Sequence, residues 1–347
     1  MIDLKDYGYT GDESVPEGLL PGRITAVHRE RYELVSPMGA MSGKLKTGVY
    51  YGEGGELFPT TGDFVHIMAH GDRDALIVKT LPRKSGFIRR DPYVGEQVVA
   101  ANVDYVFIMT SLNRDFNTRR IERYLALARQ SGATPVVVLT KADLAQDIDS
   151  LVERARLVSG DARVVPISVY SGLGIELLKE YMTPGRTIVF LGMSGVGKSS
   201  LLNNLMGAEV MEVNAVREDD SRGRHTTTRR QLFMLPSGAM VIDTPGMRSL
   251  GMWDAESGVN ETFAELDELL GACRFKDCGH ENEPGCAILD AIERGTLDAS
   301  RWESYKSLQK EALYAVDKSA VMREKWARNK EIAKWSRQRK KSGAIRY

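Results

Sequence analysis

The sequence predicts a multidomain α/β chain: an N-terminal β-barrel, a parallel sheet with helices on both faces, and a helical, cysteine-bearing C-terminal region. Three observations predict it. Short β-segments follow one another between residues 20 and about 90, strands alternate with amphipathic helices from about Asn102, and strand patterns stop after about Trp253. The length of 347 residues points to two or three domains rather than one.

In the first zone GRITAVHRERYELV, GKLKTGVYY, GDFVHIMAHG and DALIVKTL are separated by Gly, Asp and Pro turns. Several short strands at this spacing suggest a small barrel, with an OB-fold as the leading candidate. In the second zone the expected order is strand 104–111, helix 119–130, strand 135–140, helix 149–158, strand 163–168, helix 174–181 and strand 187–191. A Gly-rich turn and another helix follow. That alternation predicts a mostly parallel sheet, buried on both faces.

Hydrophobic residues make up 42% of the chain, enough for packed cores and too many for a disordered chain. Stretches such as 136–139 are strand-sized, far short of the ~18 residues a membrane helix needs. The acidic start MIDLKDYGYTGDES lacks the features of a secretory signal, so a cytoplasmic protein without membrane contact is expected. No heptad or dimer face stands out, and a monomer is the expectation. Lys and Arg number 47, as do Asp and Glu, but the balance is uneven. Residues 318–347 carry a net charge of +9, which suggests a localised anionic partner.

The strongest motif is GMSGVGKSS: Gly192, Met193, Ser194, Gly195, Val196, Gly197, Lys198, Ser199 and Ser200, between the apolar strand TIVFL and the helix SSLLNNLM. It fits G-x-x-x-x-G-K-[ST]. In such a loop backbone N–H groups cradle phosphates, Lys198 reaches the β/γ-phosphates and Ser199 ligates Mg²⁺. DTPG at residues 243–246 ends the apolar strand MVI, 45 residues after Lys198. Asp243 suits the Mg²⁺ surroundings, and Gly246 can offer its N–H to a γ-phosphate. Between them, SRGRHTTTRR offers Thr226, Thr227 and Thr228 as switch threonines for Mg²⁺.

Base choice is carried by TKAD: Thr140, Lys141, Ala142 and Asp143. Asp143 can accept from guanine N1–H and the exocyclic amine, while Lys141 packs over the base. Ser168, at the next strand end, would close the pocket. The commoner form has Asn where this chain has Thr140. Asp143 precedes Lys198 by 55 residues, the reverse of the usual order, so the chain looks like a circularly permuted GTPase. Closely spaced domain termini make such a permutation tolerable.

All three cysteines lie within 14 residues, and Cys273, Cys278, His280 and Cys286 read C-x₄-C-x-H-x₅-C. Three thiolates and an imidazole make a complete tetrahedral set for one Zn²⁺, with a structural role.

TKAD, GMSGVGKSS, GRHTTT, DTPG and CRFKDCGHENEPGC together resemble the RsgA (YjeQ) family, with PRKSGFIRR and VAANVDYVFI matching at the first boundary. The resemblance implies residues 1–92 as an OB-fold RNA-binding domain, 93–253 as the permuted GTPase domain, and 254–347 as a zinc-binding domain with a basic helical tail. It also implies GTP hydrolysis stimulated by the small ribosomal subunit, late in that subunit's maturation, with GTP/GDP, Mg²⁺ and rRNA as partners.

The residue after Gly246 is Met247, where many GTPases have a Gln that orients the attacking water. His225 is the internal candidate for that task; contact with RNA or a loop-shaping role are its alternatives. Arg23, Arg29, Arg31, Tyr32 and Lys44 are candidates for RNA contact on the barrel, as are Trp326 and Trp335 in the basic tail. The competing functions are a P-loop ATPase or small-molecule kinase with RNA-binding extensions, and an RNA-binding module that holds GTP structurally.

Overall fold

The computed structural model describes residues 1–28, 31–51, 56–91, 95–113, 116–211, 230–243 and 256–312. Five strands form the first unit: β1 (Leu20–Val27), β2 (Tyr32–Ser36), β3 (Gly39–Leu45), β4 (Phe64–His70) and β5 (Asp74–Thr80), with a short helix α1 (Thr47–Tyr50) after β3. Their order is β1-β2-β3-β5-β4, and β4 returns to pair with β1, closing a barrel. Only the β3–β5 pair is parallel. Ile24, Leu34, Val65, Ile67 and Ile77 fill the interior, as alternation along each strand requires. This is the expected OB-like barrel.

An antiparallel pair of β6 (Gly86–Asp91) and β7 (Gly95–Ala101) follows. The α/β unit then runs β8 (Tyr105–Ser111), α2 (Thr118–Gln130), β9 (Thr134–Thr140), α3 (Ile148–Ser159), β10 (Arg163–Pro166), α4 (Ile175–Leu178), β11 (Thr187–Gly192), α5 (Lys198–Met206), β12 (Arg230–Met234) and β13 (Met240–Asp243). The expected helix 174–181 is split: α4 gives way to a tighter turn at Lys179–Tyr181, and Tyr181 turns its ring onto Tyr105 and Phe107. β10 stops at Pro166, earlier than expected.

Strand order in this unit is β10-β9-β8-β11-β13-β12, parallel from β10 to β13, with β12 antiparallel at the edge. Alternation splits the sheet between two cores. Val106 and Ile108 of β8 face α2, while Phe107 and Met109 face the side of α5, where Leu201 and Leu202 pack.

Helices α6 (Glu256–Thr262), α7 (Glu265–Gly271), α8 (Ala287–Glu293) and α9 (residues 299–312) pack on the α2 side. Gly258 permits this closeness, since a Cβ there would lie 2.1 Å from the Ala126 carbonyl oxygen of α2.

The barrel and the α/β sheet are continuous: β1 pairs with β12 through Ala26–Gln231 and Val27–Arg230. Arg23 lies inside that seam, which corrects the expectation that it faces RNA. It is 1% exposed, stacks on Phe64, and donates to the carbonyls of Tyr7, Gly62 and Asn102 and to Thr187 Oγ1. Burial pulls its guanidinium down to about 10, against the pull of Asp104 and Asp63. Tyr32 is corrected likewise: its ring belongs to the barrel core. Arg31 and Lys44 are exposed, and Arg29 lies outside the described residues.

Candidate functional site

The chain leaves β8 toward β9 and β10 on one side, then returns to place β11 on the other. Ligands of open parallel sheets bind at the carboxyl ends of the strands where the order reverses. The sequence motifs collect at that edge: TKAD after β9, Ser168 after β10, the phosphate loop after β11 and Asp243 at the end of β13.

Gly192 ends β11 beside Met109; a Cβ there would lie 2.6 Å from the Met109 carbonyl oxygen, so the turn needs glycine. Met193, Ser194 and Gly195 are exposed, whereas Val196 is buried in the α5-side core. Gly197, with φ of 102°, leads into α5, whose first residue is Lys198. The Lys198 ammonium donates to the carbonyls of Gly192 (2.9 Å) and Met193 (2.7 Å), across the mouth of the loop. Ser199 and Ser200 follow in the first turn of α5, half-buried.

The TKAD segment is locked from both sides. Thr140 Oγ1 donates to the Val196 carbonyl at 2.7 Å, so the base motif holds the phosphate loop directly. Lys141 adopts a left-handed conformation (φ 58°), and the N–H of buried Ala142 donates to the Ile167 carbonyl at 3.0 Å. Asp143 stays exposed and accepts from Ser168 Oγ at 2.5 Å. Ser168 is itself fully buried and accepts from the Ser171 N–H at 3.1 Å. Asp143 is thus aimed by a neighbour while its face remains open to a ligand.

Burial raises the Asp243 carboxyl above the ordinary carboxylate range, and the charge of Lys198 opposes that rise. A carboxylate at the end of β13 and a serine hydroxyl in the first turn of α5, both at the carboxyl edge of the sheet, are the hard-oxygen donors that Mg²⁺ takes. His225, Thr226, Thr227, Thr228, Gly246, Met247, Trp326 and Trp335 lie outside the described residues.

At the amino edge of the same sheet a cavity of about 210 Å³ is lined by Lys84, Asp104, Tyr105 and Arg186 among others. Its two cations are engaged by Asp104, at 2.8 Å and 3.0 Å. None of the motifs reaches it.

The ligand atoms of Cys273, Cys278, His280 and Cys286 lie within 4.8 Å of one another. Bonds of ~2.3 Å from a tetrahedral Zn²⁺ to sulfur require sulfurs about 3.8 Å apart. The Cys273 and Cys286 sulfurs are 4.0 Å apart, and His280 Nδ1 lies 3.5 Å and 3.4 Å from them. The donor set therefore fits zinc. Missed in the sequence was the support around it. Glu283 accepts backbone N–H bonds from Gly279, Glu281 and Asn282, which pull its carboxyl down to about 2. Trp302 of α9 packs against the His280 ring, 5.4 Å away.

A family profile described as RsgA GTPase matches residues 80–253. A second, described as 50S ribosome-binding GTPase, matches residues 187–343, beginning at β11. The chain is 40% identical over 338 residues to small ribosomal subunit biogenesis GTPase RsgA 2 of Listeria monocytogenes, covering 96% of each chain. Its fold is similar to that in the crystal structure of YjeQ from Thermotoga maritima, with a TM-score of 0.63 and 29% identity over 85% of this chain and 99% of that one. YloQ, described as a circularly permuted GTPase, has the same fold at a TM-score of 0.60 and 24% identity, over 85% and 95% of the two chains. With this identity along nearly its whole length and these motifs at four strand ends, the chain belongs to the RsgA GTPase family of GTP hydrolases.

Proposed function

We propose that the carboxyl edge of the α/β sheet binds GTP with Mg²⁺ and hydrolyses it during maturation of the small ribosomal subunit, which stimulates the reaction. The observation that carries this reading is the tie between base motif and phosphate loop, Thr140 to Val196, in a chain where TKAD precedes GMSGVGKSS. In it Asp143 and Ser168 select guanine, with Lys141 and Ala142 forming the base pocket, and residues 192–200 cradle the phosphates. Lys198, whose ammonium is held at the mouth of the loop by the Gly192 and Met193 carbonyls, neutralises the β/γ-phosphates. Ser199, Asp243 and one of Thr226, Thr227 and Thr228 surround Mg²⁺, which supplies charge neutralisation at the phosphates. Gly246 holds the γ-phosphate and His225 orients water where Met247 has no group to do so.

The relatives named for small-subunit biogenesis match nearly the whole chain, which favours that partner over the large subunit named in the profile for residues 187–343. The barrel and the basic segment 318–347 supply rRNA contacts, and one Zn²⁺ holds residues 273–286. The domain division 1–92, 93–253 and 254–347 belongs to this reading, as do a monomer and a cytoplasmic location. Among the described residues no helix is long and apolar enough to cross a membrane.

The test is steady-state hydrolysis of GTP and ATP with and without purified small ribosomal subunits. GTP-only turnover that rises with the subunit is expected. Equal ATP use, or no response to the subunit, would overturn the reading.

A further inference from the structure

Between Cys273 and Cys278 the chain presents Arg274, Phe275 and Lys276 to solvent, all exposed. Phe275 is 43% exposed and belongs to none of the three apolar cores. The root of the loop is fixed: the Arg274 N–H donates to the Gly285 carbonyl at 3.1 Å, and the Arg274 stem packs over Gly285. From there the guanidinium reaches over the Phe275 ring, 5.5 Å from its centroid. One ring face is thus covered by a cation while much of the ring stays in water.

A large ring that contributes to no core, set between two cations, has the chemistry of a base-stacking platform. Bases stack on aromatic faces whatever their sequence, and Arg and Lys neutralise the phosphates on either side. Paired bases offer no free face, so the ligand is an unpaired base. Asp277, also exposed, closes the positive stretch on its far side. We infer that Arg274, Phe275 and Lys276 form an RNA contact in which Phe275 stacks on an unpaired base while the two cations engage its flanking phosphates. The contact rests on the proposed small-subunit reading, and the RNA is the subunit's own.

The test uses the full chain, purified small ribosomal subunits and a non-hydrolysable GTP analogue, with zinc content measured for every variant. Phe275→Leu keeps apolar area but loses the stacking face, and should bind subunits about ten-fold more weakly. Phe275→Trp should bind like the unaltered chain. Arg274→Gln with Lys276→Gln should weaken binding and reduce the salt slope by roughly 1–2. Ultraviolet crosslinking should recover the peptide containing Phe275 attached to a nucleotide.

Unchanged affinity of Phe275→Leu, or attachment of that peptide to a ribosomal protein only, would overturn the contact. Should Phe275→Leu lose zinc, the double variant decides: with zinc retained and affinity unchanged, the contact is again overturned. If the unaltered chain fails to bind subunits, the small-subunit reading falls and the contact with it. Tight binding by the unaltered chain together with indifference to these changes removes the contact alone.

Discussion

Thr140 Oγ1 donates to the Val196 carbonyl across 2.7 Å, joining the strand end that presents Asp143 to the loop that presents Lys198. The hydroxyl is 56 residues away in sequence from the carbonyl it satisfies, and Thr140 and Val196 are both buried. Thr140→Val keeps the shape and removes the donor, leaving a buried carbonyl unpaired at a cost of about 1–3 kcal/mol. The expected result is roughly ten-fold weaker GDP and GTP binding, with Thr140→Ser close to unaltered. Nucleotide titration by calorimetry checks it, and unchanged affinity in Thr140→Val would show that the tie does not position the loop.

Asp104 sets a pH dependence at the opposite edge. Burial opposes its ionisation, but Lys84, the Thr187 N–H and Arg186 hydrogen-bond the carboxylate and hold its pKa below the ordinary value. A depressed carboxyl stabilises the fold above its unfolded pKa of ~3.9, and that stability disappears as pH falls through the folded value. Asp104→Asn should therefore cost about 2 kcal/mol at pH 7. The gap to the unaltered chain should narrow as pH falls from the unfolded value of ~3.9 through the lower folded one. Urea midpoints measured from pH 7 down into the acid range below the unfolded carboxylate pKa decide this; a gap independent of pH would assign the loss to packing.

The α/β half was legible because its apolar strands and helices alternate, and because glycine spacing has one structural outcome at Gly192, Gly195 and Gly197. The cysteine cluster was legible for a similar reason: four ligands within 14 residues leave few other ways to converge. Arg23 was not legible. Its strand neighbours read as an ordinary barrel edge, and only the pairing of β1 with β12 puts that edge under the second sheet. Glu122 and Arg301 lie 179 residues apart, and no local pattern marks either as half of a buried pair.

Zinc should be what orders residues 273–286. This stretch contains no strand or long helix, and its described backbone bonds are few, such as Cys286 N–H to Glu283. Cys278→Ser should lower bound zinc from about one per chain to none and expose the amides of 273–286 to rapid exchange. Strands β8 to β13 should keep their protection, because their cores are built from the sheet. Retained zinc, or unchanged exchange in the loop, would refute the assignment.

His225 can be separated from nucleotide binding by kinetics. With Met247 after Gly246, no side chain at that position orients water. His225→Ala should lower subunit-stimulated turnover about 100-fold, the scale of a lost acid–base group, and leave GTP affinity unchanged. Equal stimulated turnover in single-turnover assays would remove His225 from the mechanism and leave RNA contact or loop shape as its role.

The buried pair of Glu122 and Arg301 ties α2 of the sheet unit to α9 beside the zinc cluster. Arg301 donates to Glu122 Oε1 at 2.8 Å, Ser304 donates to Oε2 at 2.5 Å, and the Arg301 guanidinium lies 4.5 Å from the Phe263 ring centroid. Glu122→Ala takes away the buried partner of Arg301, leaves it Glu265 at 2.5 Å and the Thr262 carbonyl, and should cost about 1–3 kcal/mol. Replacing both Glu122 and Arg301 with methionine removes the charged contact, leaves Glu265 half-exposed to water, and should restore part of that stability. The double variant then isolates coupling from docking. If it is stable, zinc-loaded and still stimulated by the subunit, the pair only glues α9 to α2. Normal unstimulated hydrolysis with lost stimulation would instead show that the charged contact carries the signal between the zinc region and the nucleotide edge.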